Sequence, residues 1–163
     1  MINKKNIFFQ KNFLKLSVIF LMTILLSQIN LPFFNDIRLI PDYFIALIIP
    51  IIANEFKNIN ILIIFLLGIF IDIFIGELIG QYAVTFLIIY ISNYVLHKFF
   101  IFKSTSQMVI LYFILLEIGF LIIGATSMTY QLQNNDIYIL FYKNIMTIPV
   151  CFVYKLLIEK MSN

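Results

Sequence analysis

The chain has 163 residues, of which 63% are apolar and 12% charged, with a formal net charge of +3 at pH 7. Soluble domains average roughly 45–50% apolar and about 25% charged residues, so a soluble domain of this length could not cover so much apolar surface. The basic residues are scattered at segment ends, which argues against a nucleic-acid-binding face. Cys151 and His97 cannot build a disulfide framework or a metal site between them, and no cofactor is predicted.

Apolar segments are spaced along the whole chain, and we expect one membrane domain of six transmembrane helices. They cover residues 13–34, 43–56, 58–75, 80–96, 107–125 and 137–158. The first segment follows several lysines, as in a signal peptide. It is about 33 Å long as a helix and lacks a small-x-small cleavage motif, which predicts an uncleaved span.

The second segment, 43–56, is shorter than the about 20 residues that a spanning helix needs, and it contains Pro50. A re-entrant segment is therefore an alternative to a crossing. If all six segments cross, every basic residue except Arg38 and Lys143 lies on one side of the membrane. If the second does not cross, this bias vanishes. The positive-inside rule thus predicts six crossings with both termini cytoplasmic.

Asp72, Glu117 and Lys143 are ionisable residues well inside predicted spans. At 1.5 Å per residue, Asp72 and Lys143 come to nearly the same depth, and Glu117 comes close to the midplane. We expect Asp72 to pair with Lys143 between the third and sixth helices, with Glu117 neutral or bonded to the same lysine. Alternatively, Lys143 extends to the outer headgroups, and both carboxyl groups are neutral or solvated in a shallow cavity.

Small residues flank Asp72 at helical spacing. Gly68, Asp72, Gly76 and Gly80 follow one another at intervals of four, so the acid lies between glycines on one helix face. Glycine allows another backbone to come close to that face. Gly76 and Gly80 also fit the GxxxG pattern of helix dimers, but their position near a turn favours a bend.

Other polar residues and prolines within the spans have structural interpretations. Asn93 and Thr126 are expected to form hydrogen bonds between helices. Tyr82 is expected in an aromatic belt at the outer membrane surface. Pro50 and Pro149 predict helix kinks that neighbouring helices stabilise.

Motifs of catalysis are missing from the sequence. It contains no H-E-x-x-H, G-x-S-x-G or phosphate-binding loop motif. Asp72 and Glu117 differ in depth and in flanking residues, which disfavours an aspartyl-type dyad. We therefore expect a protein that is not an enzyme.

The stretches IPDYFIALIIPI and LLGIFIDIFIGELIGQYAVTFLIIY, between residues 40 and 90, carry a family resemblance. They are similar to the rod shape-determining protein MreD family, which has a Pro-Asp start before the second span and a Gly-x-x-x-Asp motif in the third. The matching positions are Pro41, Asp42, Gly68, Asp72, Gly76 and Gly80. Tyr43 stands where many members carry Trp.

The resemblance implies a non-catalytic, multi-pass subunit of the bacterial cell-wall elongation machinery in the cytoplasmic membrane, which maintains cell shape. Its partners would be MreC and, through MreC, the glycan polymerase RodA, its penicillin-binding transpeptidase and the actin-like MreB. The resemblance also implies lipid contact, a possible homodimer, and a fold like the substrate-binding subunits of energy-coupling-factor vitamin transporters. Asp72 and its glycines would stabilise the fold or dock a partner.

Two other functions compete with this interpretation. A vitamin-binding transporter subunit would have a similar size and span number and would dock its coupling protein through small residues of the first span. Segment 13–34 has no alanine pair at four-residue spacing and offers only Ser17 and Ser27, which disfavours this function. A lipid-handling protein would use Asp72 and Glu117 in a groove.

Overall fold

A computed structural model of the protein describes residues 17–28, 40–55, 60–75, 79–102, 104–126 and 136–162. These residues form six α-helices and no strand. Their bounds are α1 Ser17–Ser27, α2 Tyr43–Glu55, α3 Ile61–Ile75, α4 Gln81–Phe99, α5 Thr105–Thr126 and α6 Asp136–Ser162. An all-helical fold is confirmed for this part of the chain.

Helix length and hydropathy separate the described helices into groups. Among them, α5 and the segment Phe141–Lys160 of α6 are long and apolar enough to cross a membrane. The helix α1, the segment Tyr43–Ala53 of α2 and the helix α3 are apolar but shorter.

Local side-chain caps set where two of the helices begin. The Asn60 side chain accepts a hydrogen bond from the Leu62 N–H at 3.0 Å, so α3 begins at Ile61. Before α5, the Ser104 hydroxyl accepts from the Gln107 N–H at 3.3 Å, and the Gln107 side chain accepts from the Ser104 N–H at 3.1 Å. This reciprocal capping box places the start of α5 at Thr105, two residues before the predicted boundary.

The short helix α2 lies at the centre of the bundle, where it packs against α4, α5 and α6. Nearly every side chain described along it is buried, including Ile45, Ile49 and Ile52 at 0% exposure. Pro50 lies within the continuous helix and is itself buried. A helix enclosed by protein on all sides does not have to match the lipid thickness by its own length. Its bounds agree with the predicted segment 43–56.

The helix α2 runs alongside α4 in the same direction. At one end the Tyr82 hydroxyl donates a hydrogen bond to the Asp42 side chain at 3.0 Å. About ten residues further along each helix, the Asn93 side-chain amide donates to the Ile52 carbonyl at 3.3 Å. Asn93 is fully buried, so its predicted role as a hydrogen-bonding contact between helices is confirmed.

The helices that follow alternate in direction. The Gln81 side chain, at the start of α4, donates to the Ile123 carbonyl in the last turn of α5 at 3.0 Å. The Tyr112 ring, near the start of α5, lies 5.3 Å from the ring of Phe152, in the second half of α6. Hence α4 is antiparallel to α5, and α5 is antiparallel to α6.

The exterior of the bundle is apolar. Exposed apolar side chains occur on every described helix except α2, and examples above 50% exposure are Leu21, Leu62, Ile73, Ile91, Leu121 and Leu156. Soluble proteins rarely expose apolar surface on this scale. Such an exterior is typical of helices in contact with lipid.

Candidate functional site

The Asp72 side chain lies at the junction of α3 and α4 and is 2% exposed. Its Oδ2 accepts hydrogen bonds from the backbone N–H groups of Gly80 at 2.9 Å and Ala83 at 3.3 Å. Its Oδ1 accepts from the Tyr82 N–H at 2.8 Å. The first N–H groups of a helix have no partner within the helix, so Asp72 caps α4 from the preceding helix.

Gly80, the residue before α4, shows why the cap comes from elsewhere. It has no side chain that could bond the first turn, and its backbone lies in the left-handed region at φ 101° and ψ −9°. Glycine adopts this conformation without the steric cost that a Cβ would bring. The acid near the N-terminus of α4 also complements the positive end of the helix dipole.

Gly68, one turn before Asp72, lies where α3 and α4 approach each other closely. A Cβ atom at Gly68 would lie 2.6 Å from the backbone nitrogen of Ala83 and 3.0 Å from the carbonyl carbon of Tyr82. Both are backbone atoms, so the contact cannot be relieved by a side-chain rotation. The absence of a side chain at Gly68 therefore lets the start of α4 lie close enough for Asp72 to cap it.

Asp42 caps α2 and joins the same network. Its Oδ1 accepts from the N–H groups of Phe44 at 3.1 Å and Ile45 at 3.0 Å, and its Oδ2 accepts from the Tyr82 hydroxyl. The Tyr82 ring also makes an edge contact with Phe44, at 5.8 Å between centroids. We call Asp42, Asp72, Gly80, Tyr82 and Ala83 the Asp72 junction.

Both acids of the predicted motif meet at one residue, Tyr82. The Tyr82 N–H bonds Asp72 and its hydroxyl bonds Asp42, so one tyrosine connects the caps of two helices. Its prediction as an aromatic-belt residue missed this role. The signal available in the sequence was Gly80: a helix that begins after a glycine needs a cap from another part of the chain.

Lys143 does not pair with Asp72 in the structure, and that prediction is wrong. Its Nζ lies 5.0 Å from the centroid of the Phe120 ring, in a cation–π contact. Among the described residues, Lys155 and Glu159 of α6 form an ion pair at 3.8 Å. Asp72 instead bonds backbone N–H groups of α4. The estimate that Asp72 and Lys143 lie at similar depth did not account for the directions in which their side chains point.

The prolines, Gly76 and Thr126 are the other residues that the sequence analysis singled out. Pro41 is buried immediately before Asp42, and Pro149 lies on an exposed position within the continuous helix α6. The kinks predicted at Pro50 and Pro149 stay predictions. Gly76 lies outside the described residues. Thr126 bonds the Ile122 and Ile123 carbonyls of its own helix at 2.9 and 3.1 Å, so its predicted contact between helices is not formed.

The Asp72 junction is suited to holding helix ends together. Both Asp72 oxygens are occupied by backbone donors, and the side chain is buried, so it has little freedom to act on a bound molecule. Hydrogen bonds to a charged acceptor are worth about 1.5–3 kcal/mol each. No group of metal-ligating side chains occurs in the part of the chain that the structure describes. The geometry therefore supports a structural role for Asp72.

No protein-family model, curated protein or solved structure matches the chain.

Proposed function

We propose that this protein is a non-catalytic, multi-pass scaffold subunit of the bacterial cell-wall elongation complex. It would lie in the cytoplasmic membrane, bind MreC, and through MreC organise RodA, the penicillin-binding transpeptidase and MreB. The motif residues that resemble the MreD family motivate this proposal.

The observation that carries the proposal is the use of Asp72. The acid of the Gly-x-x-x-Asp motif is bonded to the backbone of α4 and buried at 2% exposure. A membrane acid that acted on a substrate or ion would need access to a cavity or a pathway. An acid used as a helix cap suits a protein that works through its shape.

The apolar exterior supports lateral contacts as the means of action. The connections from α2 to α3, α3 to α4 and α4 to α5 have five residues each, such as residues 100–104 between α4 and α5. A protein built in this way reaches partners mainly through helix surfaces within the bilayer. Asp72 near the end of α3 contacts Gly80 and Gly68 one turn earlier contacts Ala83, so α3 is antiparallel to α4. The alternating directions of α3 to α6, with α2 parallel to α4, favour the proposed six crossings over a re-entrant second segment.

Co-purification with MreC tests the proposal. The tagged chain is co-expressed with MreC encoded in the same genome and purified in mild detergent. We expect a stoichiometric complex, and we expect depletion of the chain in its own host to turn rods into spheres. Wild type and Glu159→Gln should restore the rods, whereas Asp72→Leu should not, because its fold is weakened.

A different co-purified component would contradict the scaffold function. A bound vitamin or an ATPase module would favour the transporter subunit, and a stoichiometric lipid would favour a lipid-handling protein. Normal cell shape after depletion, together with no bound MreC, would also reject the proposal.

A further inference from the structure

Glu117 occupies an unusual position in the middle of α5. It is twelve residues after Thr105 and nine before Thr126, so it lies about 18 Å and about 13 Å from the two helix ends. Its side chain is half-buried, and it forms no hydrogen bond or ion pair with any described residue. The helix is one of the two that are long and apolar enough to cross a membrane among those described.

The two sides of α5 differ in burial. Leu111, Leu115 and Gly119 face the core, and both leucines are 0% exposed. Glu117 lies on the opposite side, with Ile110 at 55% exposure on one flank and Leu121 at 61% on the other. These spacings of seven and four residues place all three on one helical stripe. We call Ile110, Glu117 and Leu121 the α5 stripe.

Lys143 and Lys155 on α6 both have other contacts. The Lys143 Nζ lies over the Phe120 ring, one turn from Glu117, and Lys155 pairs with Glu159. A charged side chain near the bilayer centre is unfavourable in hydrocarbon and normally has a partner. Glu117 is too deep for lipid headgroups to supply that partner.

We propose that the α5 stripe docks a transmembrane helix of a partner protein that carries a lysine or arginine at the depth of Glu117. The ion pair between them would form at the centre of an apolar contact, with Ile110 and Leu121 packing on either side. This inference rests on the proposed scaffold function and specifies one of its contact surfaces.

A second copy of the chain fits this surface less well than a basic partner helix. In a two-fold symmetric contact the same patch is used by both subunits, so residues near the axis meet their own copies. Two Glu117 side chains would then face each other, and at least one would have to be protonated, because two carboxylates repel in a medium of low dielectric constant. Charge complementarity therefore favours a basic partner.

A synthetic helix tests this surface without any cell-wall protein. The full chain, labelled at its N-terminus, is reconstituted in phosphatidylcholine vesicles with labelled polyleucine single-span peptides. One peptide has arginine at its centre and the other has leucine, and energy transfer measures their association with the chain. We expect about tenfold tighter association with the arginine peptide, because hydrogen bonds between membrane helices contribute about 1–2 kcal/mol.

Matched variants identify the carboxyl group responsible. Glu117→Leu should abolish the preference for arginine, whereas Glu159→Leu, which removes a carboxylate elsewhere, should retain it. Glu117→Arg should reverse the preference, so that a peptide with a central glutamate binds better than one with arginine. Circular dichroism of each variant verifies that the helices remain folded.

Several results would overturn the inference. One is that the wild-type chain shows no preference for the arginine peptide over the leucine peptide. Another is that Glu117→Leu leaves this preference intact. Self-association of the chain that depends on Glu117 would assign the stripe to a second copy. A tenfold gain in arginine preference with Lys143→Met would show that Lys143 holds Glu117 in the intact chain. Because the vesicles contain no MreC, these results are independent of the test of the scaffold function.

Discussion

Asp72 on α3 and Glu117 on α5 are both acids that the sequence places well inside a span, and they differ in what surrounds them. Asp72 is buried and accepts hydrogen bonds from Gly80, Tyr82 and Ala83. Glu117 is half-buried on the outer side of its helix and has no such partner in the described residues. Asp72 thus serves the fold from inside the bundle, whereas we propose that Glu117 serves a partner from outside it. The two acids differ in the side of the helix on which they lie, which faces the bundle for Asp72 and the exterior for Glu117.

Removing each acid in turn should give the largest contrast. We expect Asp72→Leu to lower the free energy of unfolding by about 3 kcal/mol or more, because it leaves the first N–H groups of α4 without acceptors. Glu117→Leu should leave the free energy of unfolding of the isolated protein unchanged or raise it slightly. Unfolding in mixed detergent–SDS micelles, followed by circular dichroism, measures both. Equal losses would mean that Glu117 also stabilises the fold.

The close contact of α3 and α4 at Gly68 should be the next most sensitive feature. We expect Gly68→Ala to cost about 2 kcal/mol, because the new methyl group meets the backbone of Ala83. In Gly119→Ala the new methyl group meets only side-chain atoms, of which the nearest is the Ile89 Cδ1 at 3.1 Å, so this change should cost less. Gly124→Ala has no neighbour within 4 Å and should not destabilise the protein.

The same unfolding assay can rank these three glycine variants. The expected order of destabilisation is Gly68→Ala, then Gly119→Ala, then Gly124→Ala. If Gly68→Ala were as stable as Gly124→Ala, the helices would not approach as closely as the structure has them.

The left-handed backbone at Gly80 should give a smaller effect. We expect Gly80→Ala to cost about 1–2 kcal/mol, because a Cβ destabilises φ 101° even where the space around it is open. Gly80→Asn should cost less, since asparagine adopts this conformation more readily. Identical midpoints of SDS unfolding for wild type and both variants would show that the turn relaxes.

The hydroxyl of Tyr82 should give the smallest effect of the series. Tyr82→Phe removes the hydrogen bond to Asp42 but keeps the ring contacts, so we expect a loss of about 1 kcal/mol. Tyr142→Phe is the matched control, because Tyr142 is 56% exposed. Its unfolding midpoint should match that of wild type, and a similar shift in the two variants would remove the role assigned to the Tyr82 hydroxyl.

The importance of Asp72 could be predicted from sequence, whereas its partners could not. The spacing of Gly68, Asp72 and Gly80 correctly indicated an acid beside closely packed backbone. Depth estimates then suggested Lys143, because counting residues along a helix gives height but not the direction in which a side chain points. The true partners are backbone N–H groups, and every residue type except proline has one, so no side-chain pattern marks them.

The helices themselves could be located from hydropathy, but their burial could not. The short segment 43–56 was correctly read as a helix, yet nothing in its composition distinguishes a helix at the centre of the bundle from one facing lipid. In both positions the residues of the helix are apolar on every side, because lipid tails and the protein core have similar polarity. The arrangement of α2 against α4, α5 and α6 is therefore information that only the tertiary structure supplies.

Hydrogen exchange at the start of α4 tests most directly whether Asp72 holds the bundle together as a helix cap. The exchange rates of the Gly80, Tyr82 and Ala83 N–H groups would be compared by NMR in lipid nanodiscs, for wild type and Asp72→Asn. We expect slow exchange in wild type and exchange about tenfold faster or more in the variant, while N–H groups in the middle of α4 stay protected. Equal rates in the two proteins would contradict the account.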